Sequence, residues 1–97
     1  MKKEHYDYIS ERFNLSKFDY MNCPKQWLQE REGLVVPSTA KCAESSTFNT
    51  WVIRMDADQS SGPYRAGTSI AIFVHIPTKE LAEEITQHIK DTEILFV

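Results

Sequence analysis

FNTWVIRMDADQSSGPYRAGTSIAIFVHIPTKELAEEITQHIKDTEILFV, residues 48–97, is the stretch that decides the fold. Asn49, Trp51, Ile53 and Met55 alternate with Thr50, Val52 and Arg54, and Ile70, Ile72, Val74 and Ile76 alternate with Ala71, Phe73 and His75. A period of two is the signature of a strand with one buried face, so both runs are predicted as strands. The connection from Asp56 to Gly67 holds Asp-Ala-Asp-Gln, Ser-Ser-Gly-Pro and Ala-Gly, which supply positive φ, fixed φ or local side-chain hydrogen bonds, and the pair is read as a long hairpin. Pro77 cannot donate to a ladder and ends the second strand, while Thr78 can accept the free amide hydrogens of a helix start. Glu80, Glu83 and Glu84 then meet the positive end of the helix dipole and Lys90 the negative end, predicting a helix of about three to four turns. Its buried stripe is Leu81, Ala82, Ile85 and Ile89. Ile94 to Val97 is a short apolar run, predicted as a final strand tied into the sheet.

Working outward, the first half is less regular. Lys3 to Phe13 places Tyr6, Ile9 and Phe13 at helical spacing, with Asn14 as the stop. A second short helix is predicted from Pro24, whose missing amide hydrogen is not needed in a first turn, with Trp27 and Leu28 inward and Gly33 ending it. Leu34-Val35-Val36 before Pro37 reads as a small strand, and Ser38 to Thr47, rich in Ser, Thr and Ala, as a connecting loop. The fold class is therefore α+β. A small antiparallel sheet, made of the long hairpin and the C-terminal strand, rests on a C-terminal amphipathic helix, with one or two N-terminal helices beside it.

At 97 residues the chain is expected to form one domain, and two Trp, four Tyr and five Phe suffice for a single core. It has neither an apolar run of the roughly twenty residues that span a bilayer nor a basic start followed by an apolar core, so no membrane partner and a cytoplasmic life are expected. Without an export signal, Cys23 and Cys42 are expected as reduced thiols rather than a disulfide. A formal charge of −3 argues against direct binding to a nucleic-acid backbone, which needs a basic face to release counterions.

The candidate chemical sites are thin. Asp56-Ala57-Asp58-Gln59-Ser60 begins with the ligand spacing of a calcium loop, but the sharp-turn glycine arrives at Gly62 instead of Ser61 and the closing Glu is replaced by Gly67. His5, His75 and His88 with Cys23 and Cys42 show none of the short ligand spacings of a structural zinc site, and His75 is read as a histidine packed beside Phe73 against a helix. Neither metal nor cofactor is expected. A cysteine–histidine pair is the strongest enzymatic reading, since Cys23 before Pro24 would feel a helix dipole that lowers a thiol pKa, yet no flanking signature supports it. The Gly62 to Gly67 loop has no Lys-Ser or Lys-Thr after its glycines and is not a phosphate-binding loop.

Surface chemistry remains. Carboxylates cluster at Glu80, Glu83 and Glu84, at Asp56 and Asp58, and at Glu30 and Glu32. The helix dipole alone accounts for the first group, and exposed carboxylates commonly serve solubility. Carboxylates spaced on outer faces can also occupy a basic groove that normally holds phosphates, with complementarity setting association rate and partner choice. Tyr6, Tyr8, Trp27 and Tyr64, where exposed, would anchor such an interface.

The start Met1-Lys2-Lys3-Glu4-His5-Tyr6 and a small body bearing Asp56-Ala57-Asp58 and Glu80-Leu81-Ala82-Glu83-Glu84 resemble the small phage and prophage anti-CRISPR proteins, in particular inhibitors of type I-F surveillance complexes. The resemblance is one of general character over the whole chain and carries no contact positions with it. It implies a non-enzymatic inhibitor in the cytoplasm of a bacterial host. Such proteins bind the effector complex, some by setting carboxylates where target phosphates would lie. The expected partner is then a protein complex with a basic DNA-binding surface, met by some of Asp56, Asp58, Glu80, Glu83, Glu84, Glu30, Glu32 and Tyr64. Two other classes stay open: a small phage assembly or regulatory protein that self-associates through an exposed strand such as Ile94 to Val97, and a cysteine-dependent enzyme.

Overall fold

The structure, a computed structural model, describes residues 1–15, 35–45, 49–58 and 65–96. The predicted helix from Pro24, with Glu30 and Glu32, and the loop position Tyr64 lie outside the described residues. Helix α1 (Lys3–Arg12) comes first, followed by strands β1 (Val35–Ser45), β2 (Thr50–Ala57) and β3 (Ser69–Ile76), helix α2 (Lys79–Thr92) and a 3-10 turn, Glu93–Phe96. The strands form an antiparallel sheet in the order β1-β2-β3, with α2 and α1 covering one face, an α+β arrangement.

The hairpin is as predicted: β2 and β3 pair from Trp51↔Ile76 to Asp56↔Ser69. Gly67, at φ +85, lies in the turn, where its amide donates to Ala57 O at 2.9 Å and Ala57 N–H donates to Thr68 O at 2.8 Å. Simple alternation does not hold along β3, because the register shifts between Trp51 and Ile53 and again between Ile53 and Arg54. Each shift adds a residue to β3, and the bulges turn Ile72, Phe73 and Val74 into consecutive buried positions. His75 sits at φ +60 in the bulge opposite Trp51–Ile53 and is exposed, which corrects its reading as a histidine packed against a helix.

The third strand of the sheet is β1 and not the C-terminal run; Val35 and Val36, expected as a small strand, begin it in register with Ala57 and Asp56. Ser38 to Ser45 belongs to β1 rather than to a loop, in register with β2 from Lys41↔Arg54 to Ser45↔Thr50. Its Ala, Lys and Glu disfavour a strand, and pairing with the apolar β2 overrides that preference. Pro37 falls where the register shifts between Val36 and Lys41, so no ladder bond is asked of it. Thr39 repairs the gap: its hydroxyl donates to Val36 O and accepts Asp56 N–H at 2.8 Å.

Ile94 to Phe96 forms a 3-10 turn instead of the predicted strand. Nothing stops α2 sharply, since Glu93 keeps helical angles of φ −53 and ψ −43 with no Gly or Pro beside it. The run therefore coils on from the helix end, with β1 and β3 already flanking β2.

Both helices follow their sequence signals. Thr78 Oγ1 accepts Leu81 N–H at 3.2 Å and caps α2, whose Ala82, Ile85 and Ile89 are fully buried against Ile53, Met55, Phe73 and Ile76, with Leu81 half-buried beside them. Asn14 ends α1 at φ +51, with its amide on Glu11 O and that of Leu15 on Ser10 O, the paired bonds of a left-handed helix stop. Ile9 is fully buried, and Tyr6 stacks on Phe73 with ring centroids 5.2 Å apart.

Candidate functional site

Alternation along β2 sends Ile53, Met55 and Ala57 into the core with α2, and Arg54 and Asp56 to the opposite face of the sheet. There Lys41 Nζ lies 3.8 Å from Asp56 Oδ1, and Arg54 donates to Ser69 Oγ at 2.9 Å and Ser69 O at 2.8 Å. Asp58 is exposed just past the end of β2. The sheet thus separates Asp56 from the helix carboxylates, and no single face holds all five predicted positions that the structure describes.

Glu80, Glu83 and Glu84 do come together. All three are exposed on the side of α2 away from Ala82, Ile85 and Ile89. Glu83 Oε1 lies 3.8 Å from Lys79 Nζ in a pair more than half exposed, and among the described residues neither Glu80 nor Glu84 pairs with a cation. Glu80 and Glu84 stand one turn apart with like charge, which costs a few tenths of a kcal/mol in an exposed helix. Such a strip is an array of negative charge on a regular helix, capable of electrostatic contact but of no bond-making chemistry by itself.

The second constellation joins α1 to the end of α2, and sequence reasoning missed it. His5 is 1% exposed, its Nε2 is 2.8 Å from Thr92 Oγ1, and its ring stacks on Phe96 at 4.7 Å. Thr92 gives its hydroxyl hydrogen to His88 O at 2.7 Å, so it accepts from His5 and the His5 proton resides on Nε2. Tyr8 OH meets His88 Nε2 at 2.9 Å. The N-terminal ammonium donates to Val35 O on the same side. Burial first, then that ammonium, then His88 lower the His5 pKa from 6.5 to about 4, so the ring is neutral near pH 7. A cavity of about 230 Å³ opens here between Met1, His5, Val35, Asp58, Glu93 and Phe96. One signal in the sequence pointed to His5: it precedes Ile9 by four residues and so shares its buried stripe.

This network holds elements together rather than arming a nucleophile. The Thr92 hydroxyl is buried with its hydrogen committed to a carbonyl, and that of Ser10 donates to Tyr6 O at 2.8 Å. Cys42 is a half-buried free thiol on β1 opposite Ile53, and Cys23 lies outside the described residues. Among the described residues no three His, Cys, Asp or Glu side chains gather as metal ligands, and no helix is long and apolar enough to cross a membrane. In comparisons with known proteins, the chain matches no family model, no curated protein and no solved structure.

Proposed function

We propose that the chain acts by contact, as a non-enzymatic inhibitor that lays the glutamate strip of α2 against a basic, nucleic-acid-binding protein complex and so blocks DNA access. A CRISPR surveillance complex is the partner that the resemblance of the chain favours. The observation that carries the reading is the strip: three carboxylates fixed at successive helical positions by a buried opposite face, two of them without a cationic partner among the described residues. The helix holds the three Cα positions in register, and carboxylates set against lysine and arginine raise the association rate and select the partner. Asp56 is left out of this surface, because it faces the other side of the sheet beside Lys41.

The test is binding to a purified type I-F surveillance complex at low and high salt. Wild type is expected to bind with an affinity that falls as salt rises, and a Glu80→Lys, Glu83→Lys, Glu84→Lys variant to lose at least about tenfold at low salt. Equal affinity of the two proteins removes the charge-based reading.

A further inference from the structure

We propose that Ile94 and Leu95 are the apolar anchor of the same docking surface, and that its occupant is a protein surface that sets lysine or arginine side chains beside an apolar socket. The inference rests on the function proposed above and names the part of the interface that charge does not supply.

Ile94 is 74% exposed and Leu95 71%, and they are the large apolar side chains left in water among the described residues. Scattered single apolar residues are normal on a surface, but this is an adjacent pair on a turn that is itself held in place. Phe96 stacks on His5 at 4.7 Å and lies 5.6 Å from Tyr8, while Thr92, just before the turn, bonds to both His5 and His88. The turn buries none of its own residues fully, so its position comes from these ring contacts and not from sinking Ile94 or Leu95 into the core. An apolar pair presented on a fixed turn gives up little freedom when it is covered, which is the property of an interface anchor.

Placement links the pair to the glutamates. Glu80, Glu84, Gln87 and Asp91 recur at spacings of three and four on the exposed side of α2, and the Gln87–Asp91 hydrogen bond of 2.9 Å lies along that side. The turn continues directly from it, so carboxylates and anchor occupy one strip about 20 Å long. Charge chooses the occupant. Glu80, Glu83, Glu84 and Asp91 outnumber Lys79 and Lys90 on the exposed side of α2, so a second copy would bring a surface of the same net charge, whereas a basic partner meets it with opposite charge.

The test uses two synthetic helical peptides of equal positive charge, one an amphipathic leucine–lysine sequence and one with serine in place of each leucine. Wild type is expected to bind the leucine peptide at least about tenfold more tightly, with NMR shift changes at Ile94, Leu95, Glu80 and Glu84. An Ile94→Ser, Leu95→Ser variant is expected to keep its thermal midpoint, because both side chains are already in water, and to lose that tenfold preference. Equal binding of the two peptides, or shifts confined to another face, overturns the anchor. So does a wild-type dimer that becomes a monomer in the Ser variant, since the occupant is then a second copy. Failure to bind the surveillance complex, with the peptide results intact, refutes the proposed partner and leaves the anchor standing.

Discussion

Two junctions hold this fold together, and they are built from opposite materials. Between α2 and the sheet, the contact is made by Ile53, Met55, Phe73, Ile85 and Ile89, all fully buried and apolar. Between α1 and the end of α2, it is made by His5, Thr92, His88, Tyr8 and Phe96, a chain of hydrogen bonds and stacked rings. The first is non-directional and carries no titrating group, so its strength scales with area removed from water. The second depends on each partner being present and on His5 being neutral, so it fixes the C-terminal turn in one geometry while remaining open to acid. The apolar junction supplies stability, and the polar one supplies placement.

Emptying the apolar junction is the strongest way to break this contrast. Ile85→Ala removes a fully buried side chain that faces the sheet, and is expected to cost about 3 to 4 kcal/mol, equally at pH 7 and pH 5. Urea unfolding at the two pH values measures it. A loss below about 1 kcal/mol would mean that the helix–sheet seam collapses around the gap and is not the tightly filled core described here.

Acid addresses the other junction. Because burial, the ammonium and His88 depress the His5 pKa to about 4 from an unfolded value of 6.5, the unfolded chain binds the proton first. The contribution of a neutral His5 is complete above pH 6.5 and is lost as pH falls towards 4, up to about 3 kcal/mol. Carboxylates titrate in part of the same range, so the comparison is between wild type and His5→Phe, which keeps a ring for Phe96. Stability of the variant is expected to vary less between pH 6.5 and 4, and parallel curves for the two proteins would show that His5 does not carry the effect.

The same division separates what was legible in the sequence from what was not. The hairpin, the Thr78 cap, the Ile85 and Ile89 stripe and the Asn14 stop rest on local signals, and each is found where it was expected. Only the Val35–Val36 start of β1 was legible; Ser38 to Ser45 has a loop composition, and its long-range pairing with β2 makes it a strand. The C-terminal run was misplaced because four apolar residues do not distinguish a strand from a turn that continues a helix. Of the candidate site, the helix glutamates were readable from helical spacing, but the separation of Asp56 from them needed the layer order. The His5 junction joins residues 87 apart in sequence, a relation that no pattern along the chain records.

The smallest change expected to register in this contrast is Thr92→Val, which preserves shape and removes one oxygen. Thr92 Oγ1 stands between His5 Nε2–H and His88 O, accepting from one and donating to the other. Its own donation is a back-bond to a carbonyl already in the helix, so losing that half costs little. The other half leaves His5 Nε2–H buried without its acceptor, a penalty of about 1 to 2 kcal/mol unless the ring moves its proton to Nδ1. Denaturation at pH 7 measures the cost, and nitrogen NMR of the imidazole reports the tautomer. Wild type should show the Nε2–H form. If the variant loses stability with the tautomer unchanged, Thr92 acts on His5 as an acceptor that the fold needs. If the ring switches to Nδ1–H at no cost, the His5–Thr92 bond is dispensable, and the junction is held by the His5–Phe96 stack together with the Tyr8 contacts to His88 and Phe96.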